Sequence, residues 1–172
     1  MWVSALTALA LGCDEPAGAG DAGPESADLG VSPDAGPPLP PCDAEGTLLA
    51  DPVEGSDDRG RHPIAEGDAL QLVLGFQGFL FLEVAVRAPE GLPASVDVST
   101  SVAVDEGVTE RGERPAIRTH VGEAGAHETE RVLVFFNDTP AADVYGRAAE
   151  VVLGLDVETC RLLARARVQI VP

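Results

Sequence analysis

The sequence predicts an all-β fold: an antiparallel, immunoglobulin-like β-sandwich of seven or eight strands that follows a disordered N-terminal tether. From Thr47 onward, short apolar runs alternate with polar residues at a period of two, the spacing of a half-buried strand, and no convincing run follows the helical period. Gly, Pro, Asn and Asp residues separate these runs as the turns of a sandwich would.

Composition and charge limit the size and the partners of the protein. A chain of 172 residues suffices for one ordinary domain, and with aromatic residues at only 4% the core must come mainly from Val and Leu. The formal net charge is -18, and every one of the 11 basic residues is Arg. Because nucleic-acid binding requires a basic surface that displaces counterions, we expect no nucleic-acid partner. The same charge disfavours an anionic lipid surface.

The N-terminus predicts export and lipidation. Residues 1–12 are uncharged and apolar, and as a helix they would reach about 18 Å, short of a hydrocarbon core of about 30 Å. This length fits the apolar region of a signal segment. Leu9–Cys13 resembles the lipobox of bacterial lipoproteins, which implies a signal segment over residues 1–13, lipidation of Cys13 and a lipid anchor in the cell envelope, at the outer membrane or the periplasmic face. The alternative is an apolar N-terminus with an incidental Cys13.

Residues 14–41 predict a disordered acidic linker. They contain Gly, Ala, Pro, Asp and Glu, no basic residue and almost no side chain suited to a core. Such a segment cannot offset the entropy lost on ordering. As a coil it reaches roughly 30 Å, enough to lift a domain over residues 42–172 clear of a membrane.

The cysteines predict one disulfide bond. If Cys13 carries lipid, Cys42 and Cys160 remain, one near each end of the predicted domain. Exported proteins normally pair such cysteines, so we expect their Cα atoms to lie within about 7 Å of each other. The alternative is two buried free thiols. No Cys-x-x-Cys pair or His cluster accompanies them, so no zinc site is predicted.

Seven segments carry strand patterns. The loop Phe76–Gly78, between the first two, has the length and the Gly of a hairpin. A short helix is possible around Ala141–Arg147. The predicted strands are Ala69–Gly75, Phe79–Ala88, Ser95–Asp105, the weaker Ala116–Val121, Glu130–Phe136, Ala149–Val157 and Leu162–Val171.

The second predicted strand offers the one positional argument for a site. Its alternation predicts a central strand with one row of side chains in the core: Leu80, Leu82, Val84 and Val86. Phe79 and Phe81 point to the opposite, partly solvated face, where two exposed rings are costly unless a neighbouring segment covers them. If they are uncovered, they form an apolar patch to which a partner can bind. The alternatives are ordinary turn chemistry at the loop and a solvated face with an ion pair. The candidate binding residues are Gln77, Phe79, Phe81, Glu83 and Arg87.

A family resemblance covers part of this region. His62–Asp68, Leu70–Val73, Gly75–Gly78 and the strand that ends at Arg87 are similar to a group of uncharacterised lipoproteins of myxobacteria and their relatives. Those proteins also have Asp-Ala-Gly-rich tethers and a terminal pair of strands. The resemblance implies a lipoprotein with a hairpin-containing β-domain and no known activity. Those proteins usually have a His shortly after the Gln-Gly pair, where this chain has Phe81.

The motifs favour a non-catalytic protein. The sequence has no Gly-x-Ser-x-Gly, His-Glu-x-x-His or phosphate loop, so we predict no catalytic residue and no cofactor. One cluster has ligand-type residues but the spacing of no known metal motif: His120, Glu123, His127 and Glu128. We therefore expect a recognition or structural module that binds an envelope protein or polysaccharide. The alternative is a hydrolase or accessory enzyme of envelope polymers, which a concave polar pocket would favour.

Overall fold

The computed structural model describes residues 38–51, 61–122, 125–137 and 139–172, and within them the chain folds into β-strands. The all-β class is confirmed. A 3-10 turn spans Ala141–Asp143, where a short helix is predicted. Within the described residues, no helix has the length and apolar character to cross a membrane. The strands are β1 Thr47–Ala50, β2 His62–Pro63, β3 Ala69–Leu74, β4 Leu80–Ala88, β5 Ser95–Val104, β6 Thr109–Val121, β7 His127–Thr129, β8 Val132–Phe136, β9 Ala148–Val157 and β10 Cys160–Val171.

The predicted signal segment, Cys13 and residues 14–37 of the predicted linker lie outside the described residues, so these predictions stay predictions. The last linker residues are described and bond to the domain. The carbonyl of Pro40 accepts a hydrogen bond from the N–H of Arg161 at 2.7 Å, and the N–H of Cys42 donates to the carbonyl of Arg161 at 3.0 Å. The chain therefore joins the domain beside the start of β10.

Seven strands close into one mixed sheet in the order β4-β3-β10-β9-β5-β6-β7, with β7 pairing again with β4. Neighbours in this ring are antiparallel except β3 and β10, which are parallel. Outside the ring, β8 and β1 pair with β4, and β2 pairs with β1. The antiparallel, immunoglobulin-like sandwich of seven or eight strands is therefore not confirmed, because the sheet closes on itself and contains a parallel pair.

The sheet closes because two strands change partner along their length. In β3, Ala69–Gln71 pair with β10 and Leu72–Leu74 pair with β4. In β6, the residues up to Arg118 pair with β5 and the last three pair with β7. The register of β5 and β6 shifts beside Ala116, which has a positive φ of 54°. An irregularity of this kind bends a strand and increases its twist, as closure requires.

The inner face of the closed sheet holds the core. The predicted β4 row is confirmed, since Leu80, Leu82, Val84 and Val86 are all buried. Removing a Val or Leu side chain from water contributes about 1.5–3 kcal/mol, so a core of these residues suffices without many aromatic rings. The other fully buried aliphatic side chains include Val98, Val102, Val132, Val151, Leu153, Leu155, Val168 and Ile170.

The domain has two distinct ends. The pairing of Val171 with Gln71, and of Leu74 with Leu80, places the chain terminus and the β3–β4 loop at one end, which we call the hairpin end. The opposite end, the disulfide end, contains Cys42 and Cys160. These cysteines form a disulfide bond with their Cα atoms 5.0 Å apart, so the predicted bond is confirmed.

Candidate functional site

The β3–β4 loop is a tight hairpin turn. The N–H of Gly75 donates to the carbonyl of Phe79 at 2.8 Å, and the N–H of Gly78 donates to the carbonyl of Gly75 at 2.9 Å. Gly78 has a φ of 82°, a left-handed conformation that favours glycine. The predicted hairpin loop is thus confirmed, and it leaves Phe76 and Gln77 exposed at the centre of the turn.

The hairpin carries an exposed apolar surface that we call the tip surface, formed by Leu74, Phe76 and Phe79. Phe76 is fully exposed, Leu74 is 67% exposed and Phe79 is 46% exposed. Exposed large apolar side chains in the described part of the chain lie mainly at the hairpin end. Those at the hairpin end are Leu74, Phe76, Phe79, Val108 and Tyr145, whereas Val121 lies at the disulfide end.

Phe81 is covered from the outside by neighbouring side chains. Its ring lies 5.4 Å from that of Phe135, the residue directly opposite on β8, and the ring of Phe79 contacts Phe135 edge-on at 6.2 Å. The guanidinium of Arg114 stacks 4.6 Å above Phe135, a cation–π contact. A Cβ atom on Gly75 would lie 2.9 Å from the Phe81 ring, so glycine lets this ring approach the turn. The exposed apolar surface therefore centres on Phe76 and not on Phe81.

Glu83 and Arg87 bond to residues outside β4 and not to each other. Arg131 lies 3.5 Å from the Glu83 carboxylate, and Arg87 donates to Glu128 from Nε at 2.9 Å and from a terminal nitrogen at 2.7 Å. Glu128 is nearly buried, and a buried carboxylate requires such a partner. Both residues lie further along β4 from the turn than Phe81, and each belongs to its own ion pair and not to the tip surface.

The predicted ligand-type cluster is only partly brought together. His120 lies 4.0 Å from the Glu128 carboxylate, which already binds Arg87. His127 accepts a hydrogen bond at Nδ1 from the N–H of Leu92 at 3.3 Å. Glu123 lies outside the described residues. Among the residues that the structure does describe, no group of three or more His, Cys, Asp or Glu side chains is placed to hold a metal ion.

No protein-family model and no curated protein matches this chain. The resemblance to the myxobacterial lipoproteins stays a prediction, as do the lipobox and the anchor.

A hollow of about 410 Å³ lies on the outer face of β5, β6, β9 and β10. The Ser99 hydroxyl donates to the carbonyl of Gly154 on its floor. Arg161 forms one wall and binds both carboxylate oxygens of Asp156, at 2.6 and 3.0 Å. Hydrogen bonding to Asp156 raises the pKa of Arg161. Ser99 and Arg161 therefore bond to other groups of the protein within this hollow.

A second cavity, of about 230 Å³, lies beside the disulfide bond. Its walls are mostly apolar, with Leu92, Val157 and Leu162 among them, and Asp43 and Glu90 add carboxylates. Neither the hollow nor this cavity is lined by a His that could serve as a base for a serine or cysteine nucleophile.

Of the five predicted binding residues, the hairpin brings two to its exposed end, Gln77 and Phe79. Phe81 lies behind them, and Glu83 and Arg87 belong to separate ion pairs. Phe76 was not among the predicted binding residues. Its position in the predicted loop was a usable signal, because the central residues of a hairpin turn have few neighbours to cover them.

Proposed function

We propose that this protein is a lipid-anchored, non-catalytic recognition module of the cell envelope that binds its partner through the tip surface. The observation that carries the proposal is the position of Phe76. It is fully exposed at the hairpin end, opposite the end at which Pro40 and Cys42 bond to the domain. A module tethered at one end would present its free end to a partner.

The energetic cost of an exposed Phe ring supports a binding role for the tip surface. An uncovered Phe ring adds nothing to the free energy of unfolding and creates an apolar contact that favours association. Aromatic side chains are enriched among the residues that dominate binding energy in protein interfaces. Since the chain carries a net charge of -18, the rest of its surface is well suited to remain soluble while one apolar surface binds.

The bonds that Ser99 and Arg161 make in the hollow on the outer face support a non-catalytic role. Arg161 and Asp156 bind each other through two hydrogen bonds, and the Ser99 hydroxyl donates to a backbone carbonyl. Catalytic groups are instead expected within reach of a nucleophile or a general base.

Anchoring is tested by the variant Cys13→Ala. The parent chain, produced in a lipoprotein-processing bacterium, should fractionate with membranes and carry the mass of a diacylglycerol. Cys13→Ala should be released or remain unprocessed. Cys42→Ser with Cys160→Ser is the control, since loss of these cysteines should leave the lipid mass in place. Unchanged fractionation and mass in Cys13→Ala would exclude lipidation.

Recognition is tested by photo-crosslinking in cells. A photoreactive phenylalanine derivative replaces Phe76 in one chain and Val121, which is 63% exposed at the disulfide end, in a matched control. We expect a discrete adduct from position 76, to a protein or to a lipid, and none from position 121, because only the tip surface should contact a partner. Equal adducts from both positions, or none from position 76, would refute the proposal.

A further inference from the structure

The tip surface belongs to an uncharged stretch in a strongly acidic protein. No charged residue occurs from Ala69 to Leu82, and Asp68 and Glu83 flank the stretch. The hairpin therefore presents apolar and neutral polar groups at one end of a chain with a net charge of -18. A partner that recognises charge would find none on the hairpin.

The exposed area is small for a protein partner. From their exposed fractions, Leu74, Phe76 and Phe79 present together roughly 400 Å² of apolar surface. A stable protein interface usually covers about 800 Å² on each partner. The tip surface alone therefore covers about half of one side of such an interface, so a second copy of this chain or a folded protein partner would also have to contact the polar surface around it.

The turn satisfies part of its own backbone hydrogen bonding. Two N–H groups that would otherwise need water, those of Gly75 and Gly78, donate within the turn. Satisfied backbone groups lower the cost of moving a segment out of water. Gln77 is the one polar side chain at the centre of the turn, and its neutral amide can bond to lipid headgroups or to interfacial water.

We infer that the tip surface inserts into the interface of an uncharged lipid bilayer. This inference rests on the proposed function, because it names the partner of the same surface. A bilayer requires no complementary pocket, and attraction to it grows with the apolar area that enters the interface. Anionic headgroups would repel the acidic domain, so the expected occupant is a zwitterionic membrane surface such as phosphatidylcholine.

Tryptophan fluorescence at the tip tests this insertion. The chain has a single Trp, Trp2. Replacing it by Trp2→Phe and adding Phe76→Trp leaves one tryptophan fluorophore, at the tip. Both changes are made together with Cys13→Ser, so that the chain takes no lipid. With phosphatidylcholine vesicles, we expect a blue shift and quenching by lipids brominated in their acyl chains. Vesicles of phosphatidylglycerol should give a smaller response at low salt, and added salt should reduce the difference.

The matched control carries the fluorophore at the other end, as Val121→Trp with Trp2→Phe and Cys13→Ser. Both proteins keep the same apolar residues 1–12 apart from Trp2→Phe, so a difference in fluorescence response reports the tip. In sedimentation with the same vesicles, Phe76→Ser should reduce partitioning about tenfold or more, whereas Val121→Ser should change it little.

No response to vesicles from the fluorophore at position 76, or an equal response from the fluorophore at position 121, would overturn the inference. A blue shift that grows with protein concentration without vesicles would also overturn it, in favour of a second copy of the chain. A discrete protein adduct from position 76 in cells, combined with no response to vesicles, would reject the lipid partner and leave the proposed recognition role standing.

Discussion

The disulfide end and the hairpin end of the domain are built from different interactions. At the disulfide end, a covalent bond joins Cys42 to Cys160, and Arg87 pairs with the nearly buried Glu128. At the hairpin end, the β3–β4 turn is closed by two backbone hydrogen bonds and exposes a complete Phe76 side chain. The difference indicates that one end contributes to stability, whereas the other displays a surface that stability does not require.

The largest expected effect concerns the disulfide end. Cys42→Ser with Cys160→Ser removes a bond that spans 118 residues, and the added entropy of the unfolded chain should lower the free energy of unfolding by about 4–5 kcal/mol. Urea unfolding measures this change, with Cys13→Ser as the control. A loss below about 1 kcal/mol would show that the bond does not account for the stability of this end.

The next effect compares the two faces of β4. Leu82→Ala should lower the free energy of unfolding by about 2–5 kcal/mol, because Leu82 is completely buried. Phe81→Ala should cost clearly less, since its ring is only half-buried against Phe135 on the outer face. The two variants are measured side by side by urea unfolding. Equal losses would show that the outer face is a second core layer.

Much of the fold could be predicted because strands carry a local signal. The alternation of Leu80, Leu82, Val84 and Val86 identified the core row of β4, and the Gly78 position identified the hairpin. The pairing of β3 with β10, and the ring that it completes, joins segments far apart in the chain. No alternation of residues encodes which distant strand becomes a neighbour, so the closed sheet could not be predicted.

The candidate site could be predicted in part, for the same reason. Alternation placed Phe81 correctly on the outer face. Whether that ring is exposed depends on Phe135, which lies opposite only because of the β4–β8 register. Likewise, the partners of Glu83 and Arg87 are distant in the sequence: Arg131, just before β8, and Glu128 in β7. Local spacing therefore identifies a face, whereas the register between strands determines what covers it.

The smallest expected effect on stability comes from Phe76→Ser, and it tests whether the tip surface serves binding and not folding. Urea unfolding of Phe76→Ser measures the stability. In parallel, a photoreactive residue at position 77 is crosslinked in cells, once with Phe and once with Ser at position 76. We expect an unfolding free energy within about 0.5 kcal/mol of the parent chain and loss of the adduct from position 77. A loss of stability as large as that of Leu82→Ala, or an undiminished adduct, would contradict this expectation.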